Sequence, residues 1–145
     1  MSKADFFKEV REQKDYKKAI EMVPYAHFLG ITFNETSEGL VFTLPFAEKN
    51  IGNPLLPALH GGALGGFMEN AAIMHLMWTM DSLALPKNID FTIDYILSGR
   101  PKNTFAICKV IKLGKRIANV QIEAWQDEQN NPIAIARSHF KIFRT

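Results

Sequence analysis

The fold of this chain is decided by the stretch Leu59–Ala72, which reads LHGGALGGFMENAA. A glycine-rich turn opens the stretch, and an apolar run that contains one carboxylate follows. Between Gly61 and Met80 the only polar side chains are those of Glu69, Asn70, His75 and Thr79. Because a helix that is apolar nearly all round is usually buried, the sequence predicts a buried helix that begins near Gly61.

The lone carboxylate of Glu69 is a candidate catalytic group, because a carboxylate leaves water only when it is hydrogen-bonded, paired or given a raised pKa. At about 100° per residue, Gly62 and Glu69 share one helix face, with Gly65 and Gly66 between them. Two interpretations follow. In the first, a substrate lies along a glycine-paved groove, and the free amides of Gly61 and Gly62 stabilise an oxyanion. In the second, the glycines allow close packing on a sheet, and Glu69 reaches solvent or a subunit boundary.

Composition predicts one domain over residues 1–145 and limits the partners. The hydrophobic content of 47% and charged content of 22% are those of an ordinary globular protein. A net charge of +2 favours neither nucleic acid nor an anionic membrane as the main partner. The single cysteine, Cys108, excludes an internal disulfide, and charged residues such as Lys3 and Asp5 interrupt any apolar leader. We therefore expect a cytoplasmic protein.

The remaining elements follow from the spacing of apolar residues. Residues 2–20 are predicted to form one amphipathic helix, residues 23–30 a short helix that ends at Gly30, and residues 47–59 an irregular segment. Strands are predicted over 31–36, 40–46, 89–97, 104–113, 116–126 and 133–143. Short polar links between them favour antiparallel pairing. The result is an α+β domain in which a curved sheet of about six strands surrounds one long helix, with edges that pairing in a dimer would protect.

In this order of elements, the chain resembles the hotdog-fold acyl-CoA thioesterases, in the branch of the phenylacetate-pathway and 4-hydroxybenzoyl-CoA enzymes. The resemblance is carried by the motif from Leu59 to Gly62 and by the acid Glu69. It extends over nearly the whole chain and includes Gly114-Lys115-Arg116 and two segments of the last strand, 133–137 and 140–142.

The resemblance implies a hotdog fold, a homodimer or dimer of dimers, and active sites at the subunit boundary. It implies that the Gly61 amide, with Gly62 in support, polarises a thioester carbonyl. It also implies that Glu69 acts as a general base on water or as a nucleophile. Both routes need an ionised carboxylate, and only the nucleophilic route passes through a mixed anhydride.

Other residues receive roles of different kinds. His60 is a candidate catalytic residue, although its position before the glycines favours a structural role in the turn. Relatives carry a glycine and a polar residue where this chain has Pro57 and Pro54, so the partner of Glu69 is left open among Asn53, Asn50 and Asn70.

Basic residues in the turns, Arg100, Lys102, Lys115 and Arg116, are candidates to bind the phosphates of coenzyme A. Four histidines and one cysteine without ligand-like spacing predict no metal site. No cofactor is expected, because the CoA moiety is part of the substrate.

The predicted function is hydrolysis of an acyl-CoA, or of an acyl-carrier-protein thioester, to acid and thiol. Two alternatives stay open: a hotdog hydratase or dehydratase, and a non-catalytic module that binds acyl-CoA.

Overall fold

One antiparallel sheet of six strands forms the body of the protein. The computed structural model describes residues 1–144. Its strands are β1 Thr32–Thr36, β2 Gly39–Leu44, β3 Ile51–Asn53, β4 Ala58–Leu59, β5 Lys87–Tyr95, β6 Thr104–Leu113, β7 Ile117–Trp125 and β8 Ala134–Lys141. The sheet has the order β1-β2-β6-β7-β8-β5, and β3 and β4 form a separate small hairpin. The edge strands of the main sheet are therefore β1 and β5.

A single long helix, α4 (Gly61–Thr79), packs against the sheet, and its buried residues lie on most sides. Small residues fill many inward positions of the strands it crosses, beside larger ones such as Val120 and Ile122. The small residues include Ala106, Ala118, Ala124, Ala134 and Ala136, each fully buried. Because an alanine leaves room for the helix backbone to approach, the sheet can curve closely around α4. This α+β arrangement is the hotdog fold, and the prediction of fold class is confirmed.

The N-terminal segment differs from its prediction. Residues 2–20 form two helices, α1 (Lys3–Glu12) and α2 (Tyr16–Glu21), instead of one. The chain turns at Lys14, which has a left-handed φ of 54°, and the side chain of Asp15 accepts a hydrogen bond from the first turn of α2. A polar run without an apolar stripe separates the two helices, so nothing holds a continuous helix against the core.

Two further predictions can be compared with the structure. The helix α3 (Pro24–Leu29) ends at Gly30, whose φ of 75° is that of a left-handed cap, as predicted. Segment 47–59, predicted to be irregular, contains a short 3-10 turn and the β3–β4 hairpin. Among residues 1–144, no helix has both the length and the hydropathy needed to cross a membrane.

Candidate active site

His60 caps the N-terminus of α4 with its side chain. Its Nδ1 accepts hydrogen bonds from the backbone amides of Gly62 at 2.9 Å and Ala63 at 3.3 Å. Since Nδ1 accepts, the ring proton lies on Nε2 in the neutral imidazole. The imidazole therefore holds the turn through backbone hydrogen bonds, which agrees with the structural role favoured from the sequence. The Gly62 amide thus already donates to His60. The prediction that this amide helps to stabilise an oxyanion is therefore wrong.

Gly61 offers a backbone N–H that has no acceptor among residues 1–144. The amide lies at the positive end of a 19-residue helix, where anionic oxygens are stabilised. The hydroxyl of Tyr95, at the end of β5, donates to the Gly61 carbonyl over 2.7 Å. A Cβ on Gly61 would lie 3.2 Å from the Tyr95 ring. Tyr95 on the sheet thus holds Gly61 in place. No feature of the sequence predicted the contact between Tyr95 and Gly61.

The β3–β4 hairpin packs against His60. A Cβ on Gly52 would lie 2.9 Å from both the Cα and the Cδ2 atom of His60, closer than atoms of this kind can approach. The His60 amide donates to the carbonyl of Asn50 over 2.7 Å. The hairpin and the first turn of α4 therefore form one packed unit, which needs glycine at position 52.

The glycine-paved groove expected from the sequence is filled by aromatic rings of the same chain. A Cβ on Gly65 would contact the hydroxyl of Tyr95 at 3.8 Å and the ring of Phe91 at 3.9 Å. One on Gly66 would lie 3.1 Å from the ring of Tyr25. The glycines permit close packing, which is the second interpretation made above, and the groove interpretation is wrong for this part of the helix.

The carboxylate of Glu69 is held by a partner that the sequence did not reveal. The Nδ2 atom of Asn88, at the start of β5, donates to its Oε2 over 2.6 Å. Behind Asn88 lies the fully buried Ser138 of β8, whose Oγ is 3.1 Å from the Asn88 Oδ1 and donates to the backbone oxygen of Asp90 at 2.6 Å. Two features of the sequence could have pointed to this contact: Asn88 is a polar residue at the start of a strand, and Ser138 is a serine at an inward strand position.

The three asparagines considered as partners of Glu69 have other contacts. Oδ1 of Asn53 accepts from the amides of Leu55 and Leu56, so it organises the tip of the β3–β4 hairpin. The amide of Asn70 donates to the carbonyl of Gly66 within α4. Asn50 is buried, and its Nδ2 has no partner among residues 1–144. None of the three contacts Glu69 through these bonds, and the catalytic role of Asn53, whose Oδ1 is engaged in the turn, stays a prediction.

Glu69 and Gly61 stand well apart on the same helix. Eight residues at 1.5 Å each separate them by about 12 Å along the axis. The side chain of Glu69 cannot lean far back toward Gly61, because Asn88 holds it. The inward residues of β5 follow the helix in the opposite direction, with Tyr95 at Gly61, Phe91 at Gly65 and Asn88 at Glu69. One chain therefore presents the two functional groups at separate places.

The predicted basic residues divide between the two ends of the sheet. Lys115 and Arg116 lie in the β6–β7 turn and border an open depression of about 990 Å³ together with Lys141 and Arg144. Arg100 precedes β6 at the other end, and Lys102 is paired with Asp127. The ten residues of β6 span about 30 Å, so one chain does not bring the two groups together.

Two buried titratable groups lie outside this site. Burial lowers the pKa of His75, on α4, to about 4, and its Nδ1 has no partner among residues 1–144. Burial raises the pKa of the Cys108 thiol, which keeps it protonated and unreactive. In the part of the chain that the structure describes, no three His, Cys, Asp or Glu side chains gather as metal ligands would.

Comparison with known families assigns the chain to a class. The model of the thioesterase superfamily matches residues 56–133, which include the motif, all of α4 and three of the six strands of the main sheet, β5, β6 and β7. The chain therefore belongs to the thioesterase superfamily, whose members at the family level are thioester hydrolases. No curated protein sequence matches the chain significantly.

Solved structures are similar over almost the whole chain. A protein from Chromobacterium violaceum is 44% identical, with a TM-score of 0.80 and coverage of 97% of this chain and 98% of its own. A phenylacetic acid degradation-related protein from Ralstonia eutropha is 16% identical, with a TM-score of 0.72 and coverage of 82% and 89%. A Bacillus halodurans protein solved with CoA is 18% identical, with a TM-score of 0.71 and coverage of 92% and 95%. The last two similarities are similarities of fold.

Proposed function

We propose that this protein hydrolyses acyl-CoA thioesters to a free carboxylic acid and CoA. The observation that carries the proposal is the carboxylate of Glu69, held by Asn88 on the partly open face of α4. A carboxylate fixed by a hydrogen bond is oriented for proton transfer or attack before the substrate arrives. Membership of the thioesterase superfamily supports the reaction class, and the CoA-bound relative supports CoA as the thiol.

Two routes use the same groups. In the general-base route, Glu69 takes a proton from water as the water oxygen attacks the carbonyl carbon. The oxyanion that forms accepts a hydrogen bond from the Gly61 amide, the C–S bond then breaks, and the thiolate recovers the proton. In the nucleophilic route, the carboxylate displaces the thiolate and forms a mixed anhydride, which water hydrolyses. Water is the only co-reactant in both, so the proposal requires no cofactor.

The distance between Gly61 and Glu69 supports a site shared by two copies of the chain. A reacting oxygen must come within about 3–3.5 Å of the carbonyl carbon. A thioester seated on the Gly61 amide is out of direct reach of a carboxylate some 12 Å along the same helix. An antiparallel second copy would present its own Gly61 opposite Glu69, and the reverse, giving two sites in one dimer.

The edge strand β5 is the surface best suited to that contact. It is unpaired on its outer side, and it carries Asn88 and Tyr95, which hold the two halves of the site. Large apolar residues are exposed on this strand and just after it, namely Ile89, Tyr95, Ile96 and Leu97, beside the exposed polar residues Lys87, Asp90, Thr92 and Asp94. Pairing two β5 edges would bury these apolar residues and satisfy the free backbone groups of both strands.

The same antiparallel arrangement supports a role for the basic residues in binding CoA. Within one chain, Lys115 and Arg116 lie at the Glu69 end, because β8 brings Lys141 beside both Ile117 and Lys87. Arg100 lies at the Gly61 end, next to Gly99, whose carbonyl accepts from Leu59. A second copy would bring the Arg100 end of one chain to the Lys115–Arg116 end of the other. Guanidinium and ammonium groups from both copies would then face the phosphates of one CoA.

The test is release of free thiol from a panel of acyl-CoAs by the wild-type protein and by Glu69→Gln and Glu69→Ala. Glu69→Gln keeps the volume and an oxygen for the Asn88 hydrogen bond, and removes only the charge and basicity. We expect both variants to fold with unchanged oligomeric state and to lose at least about a hundredfold in kcat. Retention of acyl-CoA without thiol release by the wild-type protein would instead favour a binding module or a hydratase.

A further inference from the structure

The tip of the β3–β4 hairpin presents two leucines directly to solvent. Leu55 is 94% exposed and Leu56 69% exposed. They lie between Pro54 and Pro57, and the side chain of Asn53 accepts hydrogen bonds from both of their amides. Two prolines and this local hydrogen bonding restrict the backbone of the turn, so the leucines are held outward.

This turn is attached to the first turn of α4. Ile51 pairs with Leu59, and Gly52 lies against His60. Residues 54–57 form a turn, so the three residues from Leu56 to Leu59 span at most about 10 Å. The hairpin therefore keeps the leucines in a fixed position at the Gly61 end of α4, with Leu56 within about 17 Å of the Gly61 amide along the chain, where an extended acyl chain can reach them.

The surface on the other half of the site is also apolar. Ile73 lies one turn after Glu69 on α4, and Phe91 lies on β5 beside Gly65; both are half-buried. In the arrangement of two copies, the Gly61 of one chain meets the Glu69 of the other. The leucines of the first chain would then face Ile73 and Phe91 of a second copy across the site.

We propose that Leu55 and Leu56 form a wall of the acyl chamber in the site shared with a second copy, and that they select apolar acyl chains long enough to reach the turn. This inference rests on the proposed function. Contact between the leucines and methylene groups removes apolar surface from water on both sides, and this gain is absent for an acetyl group.

The experiment measures kcat/KM for acetyl-, butyryl-, octanoyl- and lauroyl-CoA with the wild type and with the double variant Leu55→Ala/Leu56→Ala. Wild type is expected to prefer octanoyl- and lauroyl-CoA. In the double variant kcat/KM for these two should fall about tenfold, and the value for acetyl-CoA should stay within about twofold. Leu55→Trp should move the preference toward butyryl-CoA, because a larger wall shortens the chamber.

Ile111→Ala is the matched control, since Ile111 is an exposed aliphatic residue near the C-terminal end of β6. This variant should leave the relative kcat/KM values for the four acyl-CoAs unchanged. An unchanged profile in the double variant would overturn the inference. So would an equal loss on all four substrates together with dissociation of the oligomer, because the leucines would then serve assembly alone. If the wild type released no thiol from any acyl-CoA, the proposed function itself would fail, which is a distinct result.

Discussion

The side-chain amide of Asn88 donates to the carboxylate of Glu69 over 2.6 Å, and so joins the central helix to the edge strand β5. Asn88 is anchored in turn beside the buried hydroxyl of Ser138. The orientation of the proposed catalytic group therefore depends on β5 and β8 as well as on its own helix. Because β5 is also the free edge of the sheet, a second copy that paired with this edge would couple assembly to the alignment of the carboxylate.

The first prediction concerns this contact. Asn88→Ala should lower kcat about tenfold and change KM less, because the carboxylate loses the hydrogen bond that orients it. Steady-state kinetics on one acyl-CoA would measure both constants. Asn88→Gln is the control, since it keeps the amide but displaces it by one methylene. Full activity in Asn88→Ala would show that the orientation of Glu69 does not depend on this contact.

The second prediction separates the capping role of His60 from chemistry. His60→Ala should lower the free energy of unfolding by about 1 kcal/mol, because two amides of α4 lose their acceptor. His60→Ser should restore most of this stability, because serine is a good N-cap. Chemical denaturation measures the stability, and thiol release measures the activity. If His60→Ser is stable but inactive, the imidazole takes part in the reaction.

The third prediction compares two glycines. Gly52→Ala should destabilise the protein by about 2 kcal/mol and reduce activity, because its Cβ would push on the backbone of His60. Gly65→Ala should cost nothing or stabilise by up to about 1 kcal/mol, because it lies inside a helix and its Cβ finds ordinary contacts. Thermal and denaturant unfolding of the two variants give the comparison. Equal effects would contradict the packing of the hairpin on His60.

The sequence predicted those features that local pattern controls. Strand β6 was predicted over its observed range, because apolar residues fill the positions between two polar turns. The start of α4 at Gly61 was predicted, because the glycine-rich motif and the apolar run meet there. Glu69 was identified as unusual for the same reason, as the only carboxylate in that run. The break at Lys14 was missed, because a left-handed residue other than glycine leaves little trace in sequence.

Contacts between distant segments were not predictable. Asn88 and Tyr95 reach Glu69 and Gly61 only because β5 runs antiparallel to α4 beneath it, and pairing alone sets that register. The three asparagines considered as partners of Glu69 lie in α4 or in the segment before it, whereas the observed partner lies on β5, after the helix. Asn53–Leu56 lies in a segment that was predicted only to be irregular, and the exposure of its two leucines became visible only in the structure.

The fourth prediction uses the buried imidazole of His75. Burial lowers its pKa from 6.5 to about 4, so between these values the unfolded chain binds more protons than the folded one. Stability therefore rises with pH across that window and is lost as the pH falls, by up to about 3 kcal/mol at pH 4. Unfolding free energies from pH 7 to pH 4 measure the slope. His75→Gln, which does not titrate, should reduce it, and an identical slope would refute the assignment.

The last prediction decides whether two chains share each site. Gly61→Pro removes the amide hydrogen at the first helical position, where proline is favoured. His60 precedes it with φ −64° and ψ 126°, a conformation that a following proline accepts. The variant should be inactive through loss of the oxyanion donor. Gly61→Ala is its control, because it adds the same Cβ beside Tyr95 and keeps the N–H.

Glu69→Ala and Gly61→Pro should each be inactive alone and active when mixed. If Glu69 of one copy acts with Gly61 of the other, a mixed dimer holds one site with both groups intact and one with neither. Random exchange of subunits makes about half of the dimers mixed, so about one quarter of the wild-type activity should return. A site contained within a single chain would give no recovery, because every chain in the mixture lacks one of the two groups.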